Sequence, residues 1–255
     1  MKQGDFSQLA RQYANRPGYS EAVLEMLISQ VKKNKEQIEV CEVGAGTGKL
    51  TEQLQSLNLS GVAVEPNDEM RREGKNLTLQ NSTFSWVKAT GEDTLQENDQ
   101  FDWVIMASSF HWTDHTKSLP EFSRILKPGG YFTALWNPRD IQRSEFHQGI
   151  EDFIYSLVPD LNRVSSGNKK NLTDIEEKLK YERLFTNLVF VEASYDIEMS
   201  VDRYLGAWKS VNDIQSQAGP EKWKEILAGI HDRVKHLEVI SVPYKTRAWT
   251  VQVAG

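Results

Sequence analysis

The sequence is short of several features that would mark a particular class of protein. Its 255 residues include one cysteine, Cys41, which excludes an internal disulfide. No apolar run approaches the roughly 18 residues that a membrane helix needs. Residues 1–13 also lack the apolar core of a signal peptide, so we expect a cytoplasmic protein without a membrane partner.

Clustered positive charge and clustered metal ligands are scarce as well. The formal net charge is -6, whereas proteins that bind nucleic acids rely on clustered lysine and arginine, so no nucleic-acid partner is expected. The five histidines are scattered, and the nearest two, His111 and His115, have no cysteine or third ligand close by. No metal site is therefore predicted.

The stretch Ile38–Leu50 organises the rest of the chain. It reads I-E-V-C-E-V-G-A-G-T-G-K-L, a β-branched run followed by glycines at alternate positions and then by a helical pattern. This order predicts a strand, a tight turn and the start of a helix. Backbone N–H groups at the positive end of that helix would face a ligand without a Cβ in the way, so we expect a carboxylate, ribose or phosphate to lie there.

Strands and helices alternate through the first half of the chain and predict an α/β protein. The implied architecture is a Rossmann-like, doubly wound, seven-stranded sheet, mostly parallel with an antiparallel edge strand. Asp68 and Asp114 are predicted to cap the helices that follow them. The predicted strands are Ile38–Val43, Gly61–Glu65, Phe84–Ala89, Phe101–Ser108, Tyr131–Trp136, Val189–Met199 and Val239–Val253.

Spacing distinguishes the ligands that a glycine turn of this kind can hold. A P-loop needs two glycines five positions apart followed by Lys and then Ser or Thr, but Val43 and Leu50 stand at two of those positions. A dinucleotide fingerprint needs a third glycine where this chain has Lys49, which weakens that interpretation without eliminating it.

The remaining pattern, E-V-G-A-G-T-G, resembles motif I of the class I S-adenosylmethionine-dependent methyltransferases. The segments S-S-F-H-W-T-D and R-I-L-K-P-G-G resemble later motifs of that family, and the likeness covers about Glu39 to Asn137. The subgroup is the small-molecule one, methyltransferase type 11, similar to the trans-aconitate and ubiquinone methyltransferases. The resemblance implies a single domain over residues 1–255, with a cofactor-binding core at 37–137 and an inserted helical substrate cap at 138–184 and 200–238.

The resemblance implies S-adenosyl-L-methionine as cofactor, with S-adenosyl-L-homocysteine as product. Glu65 ends the second predicted strand, about where an acid reaches a nucleoside ribose, and a carboxylate can accept two hydrogen bonds from a diol. The turn at Thr90–Glu92 resembles the adenine-binding turn of the family. The predicted cofactor residues are Tyr13, Arg16, Glu42, Gly44, Ala45, Gly46, Gly48, Glu65, Pro66, Thr90, Gly91, Glu92, Ser108 and Ser109.

The methyl acceptor is expected to be a small molecule held beyond the carboxyl ends of the strands. His111 is the candidate for acceptor binding or proton removal, because an imidazole titrates near neutrality. The alternative is that His111 and Trp112 only pack as part of the fold. The predicted acceptor residues are Phe110, His111, Trp112, Trp136, Asn137, Tyr204 and Trp208.

The sequence thus predicts a methyltransferase that moves a methyl group to a small-molecule acceptor by in-line transfer, with orientation in a dry pocket as the main task of the protein. Two alternatives stay open. One is a catalytically silent S-adenosylmethionine-binding regulatory protein, and the other is an NAD-type Rossmann enzyme. The acceptor, its reacting atom and the oligomeric state are not given by the sequence.

Overall fold

The computed structural model describes residues 15–33, 35–80, 82–163 and 174–254. Its strands form one sheet in the order β3-β2-β1-β4-β5-β7-β6. The pairs from β3 to β5 are parallel, whereas β7 runs antiparallel to both β5 and β6. This confirms the predicted fold class. The strands are β1 (Glu39–Val43), β2 (Ser60–Val64), β3 (Phe84–Val87), β4 (Phe101–Ala107), β5 (Leu126–Trp136), β6 (Phe185–Met199) and β7 (Ile240–Val253).

Helices cover both faces of the sheet and the region beyond its strand ends. Short 3-10 turns also occur at Phe110–Trp112, Ile141–Arg143 and Tyr181–Arg183. The last long helix is kinked at Gly219. The helices among the described residues are α1 (Glu21–Lys32), α2 (Lys49–Ser56), α3 (Asp68–Leu77), α4 (His115–Ile125), α5 (Glu145–Leu157), α6 (Ile175–Leu179), α7 (Val201–Lys209) and α8 (Asn212–Val234).

Three hydrophobic clusters follow from this arrangement. One cluster lies on each face of the sheet, around Phe132 and around Trp103 respectively. The third joins α5, α7 and α8 to the near end of β7, with Trp208 and Ile226 at its centre. Because this third cluster is built largely from helices that follow β5, those helices form a layer beyond the strand ends, which we call the cap.

Two of the predicted helix starts can be compared with the structure. Asp114 caps α4 as predicted, since its side chain accepts a hydrogen bond from the backbone N–H of Thr116. The prediction for Asp68 was wrong by one position, because the side chain of Asn67 accepts from the N–H groups of Glu69 and Met70 and Asp68 is already the first helical residue. Asparagine and aspartate both suit this position, so composition alone did not separate them.

Two strands begin several residues earlier than predicted, and one of them is β6, which begins at Phe185 rather than Val189. β5 begins at Leu126 rather than Tyr131, since Leu126 already pairs with Phe101. Within the described ranges, no helix combines the length and apolar character needed to cross a membrane. The same residues contain no group of histidine, cysteine, aspartate and glutamate side chains arranged to hold a metal ion.

Candidate functional site

A cavity of about 1000 Å³ lies at the carboxyl ends of β1, β2, β4 and β5, beneath the cap. This is where ligands bind in open α/β sheets, at the point where the strand order reverses between β1 and β4. Most of the predicted cofactor residues line it. The predicted residues in the lining are Arg16, Glu42, Gly44, Ala45, Gly46, Glu65, Pro66, Thr90, Gly91, Glu92, Ser108, Ser109, Trp112 and Asn137.

The glycine turn after β1 uses each of its glycines differently. All three have positive φ, 69° at Gly44, 57° at Gly46 and 75° at Gly48. A Cβ on Gly44 would lie 2.7 Å from the side chain of Ser109, whereas a Cβ on Gly46 would meet nothing within 4 Å. Gly48 does not line the cavity and instead precedes the first residue of α2. Gly46 is therefore the glycine that leaves room for a bound group.

Glu65 is held directly over this turn. Its Oε2 accepts a hydrogen bond of 2.8 Å from the N–H of Gly46, and its Oε1 accepts one of 2.8 Å from the N–H of Asn67. Burial raises the pKa of Glu65, and the two backbone hydrogen bonds oppose that rise. Each carboxylate oxygen keeps lone-pair capacity, so both can still accept from a ligand diol.

Glu42 is the second carboxyl group at the turn, and it is 1% exposed. The hydroxyl of Thr51 donates to its Oε2 at 2.6 Å. Burial raises the pKa of Glu42 to about 8, the Thr51 hydrogen bond opposes this, and the nearby charge of Glu65 adds to it. Glu42 is thus mostly protonated at neutral pH, and a cation bound beside it would favour its charged form.

The turn after β3 and the end of β4 also line the cavity. A Cβ on Gly91 would lie 2.9 Å from the side chain of Thr113, so this turn packs closely on the start of α4. Glu92 accepts a hydrogen bond of 2.8 Å from the N–H of Asp114. Ser109 donates to the carbonyl of Val43 at 3.1 Å, which ties the end of β4 to the glycine turn.

The segment before α1 closes one side of the cavity. Arg16 lines it while donating from Nε to Ser210 Oγ at 2.8 Å and from a terminal nitrogen to Ser210 O at 2.9 Å. Tyr19, which the sequence analysis missed, also lines it, and its hydroxyl lies 3.3 Å from Ser108 Oγ. Burial raises the pKa of Tyr19 above its ordinary value. Tyr13 lies outside the described residues.

Of the predicted acceptor residues, the structure brings Trp112 and Asn137 to the cavity. Asn137 is held in place by donating to the carbonyl of Gly18 at 2.9 Å and by accepting from Thr246 at 2.8 Å. The other predicted acceptor residues, Phe110, His111, Trp136, Tyr204 and Trp208, are not among the residues that line the cavity. Phe110, Trp136, Tyr204 and Trp208 are each at most 3% exposed and pack in the hydrophobic clusters.

His111 lies beside two tryptophan rings. Its ring lies 4.6 Å from that of Trp112 and 6.4 Å from that of Trp136, between centroids. Burial lowers the pKa of His111 to about 4, and Nδ1 has no hydrogen-bond partner among the described residues. The imidazole is therefore neutral near pH 7. His111 is not among the residues that line the cavity, although Trp112, the next residue of the same 3-10 turn, is.

The cap contributes residues that the sequence analysis did not find. Arg139 lines the cavity with its guanidinium 3.9 Å from the centroid of the Trp208 ring. Arg163 also lines it and pairs with Glu151 at 2.8 Å and with Asp213 at 3.1 Å. Arg139 follows β5 by three residues, a strand-end position that could have indicated it. The Arg163 cluster joins segments far apart in the chain and has no sequence signal.

The sequence of residues 41–134 matches a protein family described as a methyltransferase domain. An uncharacterized methyltransferase of Mycobacterium tuberculosis is 33% identical over 128 residues, which are 49% of this chain and 48% of that protein. A ubiquinone/menaquinone biosynthesis C-methyltransferase of Rickettsia akari is 24% identical over 151 residues, 55% of this chain and 60% of that one. The chain spans about half the length of the curated relatives it matches.

Solved structures share the fold over nearly the whole chain. A putative type II methyltransferase from Anaeromyxobacter dehalogenans has a TM-score of 0.67 at 19% identity, covering 93% of this chain and 97% of that one. An N-methyltransferase from Haemonchus contortus, solved with phosphomonomethylethanolamine and S-adenosylhomocysteine, has a TM-score of 0.54 at 12% identity, covering 98% of this chain and 58% of that one. These likenesses show that the chain shares its fold with these proteins.

Proposed function

We propose that this chain, which carries a methyltransferase domain over residues 41–134, uses S-adenosylmethionine to methylate a small-molecule acceptor. The observation that carries the proposal is the pairing of Glu65 with Gly46 at the cavity wall. A buried carboxylate is fixed there by backbone N–H groups, beside a glycine whose missing Cβ leaves open space. This arrangement can accept hydrogen bonds from a ribose diol, and neither of its groups carries a positive charge that would favour a phosphate.

Different residues of the cavity would hold different parts of the cofactor. Glu65 would accept hydrogen bonds from the ribose hydroxyls, and the turn at Gly91 and Glu92 would take the adenine, as the family resemblance implies. Gly44 and Gly46 would let the methionyl part approach the backbone. Glu42 lies beneath the same turn and would gain its charge next to a cationic ligand. These side chains and backbone groups therefore fit the ribose, adenine and methionyl parts of S-adenosylmethionine.

When bound, S-adenosylmethionine supplies a methyl group already activated by its sulfonium. The chain's own part is to orient the acceptor and to exclude water, and the cap over the strand ends serves both. None of the five histidines, all of which lie in the described ranges, lines the cavity. We infer that the acceptor atom either starts unprotonated or loses its proton to a group other than histidine.

Calorimetry with S-adenosylhomocysteine and with NAD tests the cofactor assignment. We expect S-adenosylhomocysteine to bind and NAD not to bind. Glu65→Gln should weaken S-adenosylhomocysteine binding by about 10- to 100-fold, because a hydrogen bond to a charged group contributes roughly 1.5–3 kcal/mol. The matched control is Glu69→Gln, at a half-exposed residue of α3 that pairs with Arg72. Binding of NAD alone, or equal affinity in the Glu65 variant, would contradict the assignment.

Transfer of a labelled methyl group into a panel of small metabolites tests the activity itself. Product formation is expected for at least one acceptor, and the cavity volume limits the panel to compounds of small-molecule size. A protein that binds S-adenosylhomocysteine tightly but labels no acceptor would instead support the silent regulatory alternative.

A further inference from the structure

Arg139 holds a distinctive position in the cavity. It follows β5 directly after Asn137 and Pro138, so it stands on the cap side of the strand ends. Its guanidinium lies 3.9 Å from the Trp208 ring centroid and 5.7 Å from that of Tyr204, and it forms part of the cavity lining. Stacking occupies a face of the planar group and leaves its in-plane N–H donors for other partners.

The other cationic side chains of the lining already have partners within the protein. Lys49 pairs with Glu52, Arg163 pairs with Glu151 and Asp213, and Arg16 donates to Ser210. The carboxylate next to Arg139 in the chain, Asp140, pairs with Lys245 instead. Among the described residues, no carboxylate forms an ion pair with Arg139. The charge of Glu151, which pairs with Arg163, and the hydroxyl of Tyr244 nevertheless act on it from the same cavity wall.

Burial opposes the charge of Arg139, but Tyr244 and Glu151 favour it, so the pKa of Arg139 is raised and the guanidinium stays charged. Its cation–π contacts with Trp208 and Tyr204 contribute about 0.5–2 kcal/mol and hold the guanidinium at the cavity wall. An oxyanion arriving from the cavity would meet N–H donors set in one plane, the geometry that matches carboxylate and phosphate oxygens.

We propose that Arg139 is the anion-binding residue of the acceptor subsite, and that the acceptor of this protein carries a carboxylate or phosphate group. This inference rests on the proposed methyltransferase function. Arg139 acts in binding and orientation, and Trp208 holds its guanidinium in position.

The experiment uses full-length protein loaded with S-adenosylhomocysteine. Benzoate, phenyl phosphate and neutral benzamide serve as probes of matched shape, and binding is followed by ligand-observed NMR. We expect benzoate or phenyl phosphate to bind at least tenfold more tightly than benzamide, and the preferred anion tells carboxylate from phosphate. Arg139→Gln should abolish the preference, and Arg139→Lys should keep part of it because the charge remains.

Two controls separate the possible failures. Arg143→Gln alters a nearby arginine that pairs with Asp196 and does not line the cavity, so it should leave the anion preference unchanged. The affinity for S-adenosylhomocysteine is measured in every variant, and Arg139→Gln should change it less than twofold. The unfolding midpoint of each variant reports whether it is folded.

The outcomes are distinct. Equal binding of the anions and benzamide, absence of anion binding, or a preference retained in folded Arg139→Gln overturns the anion subsite. A large loss of S-adenosylhomocysteine affinity in Arg139→Gln also overturns it and assigns the arginine to the cofactor carboxylate instead. Failure of wild-type protein to bind S-adenosylhomocysteine refutes the proposed function itself.

Discussion

Replacing Glu42 by glutamine is expected to change how the stability of the protein depends on pH. The Glu42 carboxyl has a pKa of about 8 in the folded protein, compared with 4.5 as its ordinary value. Between these pH values the folded state keeps a proton that the unfolded state has lost. Folding stability from this residue is therefore fully present below pH 4.5 and decreases as the pH rises through about 8.

The size of the effect follows from the shift. Between the two pKa values, each pH unit lowers the free energy of unfolding by about 1.4 kcal/mol, so the whole decrease is roughly 5 kcal/mol. Glutamine has the same shape as the protonated carboxyl and can still accept the hydrogen bond from Thr51, but it cannot ionise. The free energy of unfolding of Glu42→Gln should therefore exceed that of the wild type by an amount that increases with pH.

Urea unfolding of both proteins at a series of pH values from 5 to about 9 measures this difference, in which titrating groups that do not interact with Glu42 cancel. Glu25→Gln, at an exposed position of α1, is the control and should show no such increase. A difference between Glu42→Gln and wild type that stays constant across the series would refute the reasoning. It would mean that Glu42 is already ionised in the folded protein near pH 7.

Two further predictions concern packing. Gly46→Ala should lower the free energy of unfolding by about 1–2 kcal/mol, because φ is 57° at this position. In calorimetry the same variant should bind S-adenosylhomocysteine more than tenfold more weakly. Gly149→Ala is the control, since a Cβ there also meets nothing within 4 Å, and it should leave binding unchanged. Thr133→Val should lower the free energy of unfolding, measured in urea, by about 1–3 kcal/mol, because Trp103 Nε1 donates a hydrogen bond of 2.9 Å to Thr133 Oγ1 inside the core. A decrease of less than about 0.5 kcal/mol would contradict this prediction.

The parts of the fold that sequence patterns predicted are those set by local signals. The glycines at 44, 46 and 48 must adopt positive φ, and few residues other than glycine do so easily. Glu65 was predicted from its place at the end of the second strand, at the distance from the glycine turn where an acid reaches a ribose, and the structure places its carboxylate against the N–H of Gly46. The antiparallel strand at the sheet edge was also predicted, and the pairing of β7 with β5 and β6 confirms it.

The parts that sequence patterns missed depend on how distant segments pack. Tyr19 contacts Ser108, 89 residues further along the chain, and Arg163 pairs with both Glu151 and Asp213, so no local pattern marks these contacts. His111 was expected in the acceptor subsite, but it does not line the cavity, whereas Trp112 in the same 3-10 turn does. Three residues give too short a pattern to predict which side chains of this turn reach the cavity.

The position of β7 between β5 and β6 has a consequence for the order in which the chain folds during synthesis. β6 is made before β7, yet β7 is its partner in the sheet, so β6 leaves the ribosome without a paired edge and waits until α7, α8 and β7 follow. Its segment Leu188–Phe190 is apolar and exposed even in the finished protein. An unpaired apolar strand is a template for other chains. The nascent chain in which β6 has been made and β7 has not is therefore expected to be the state most prone to aggregation.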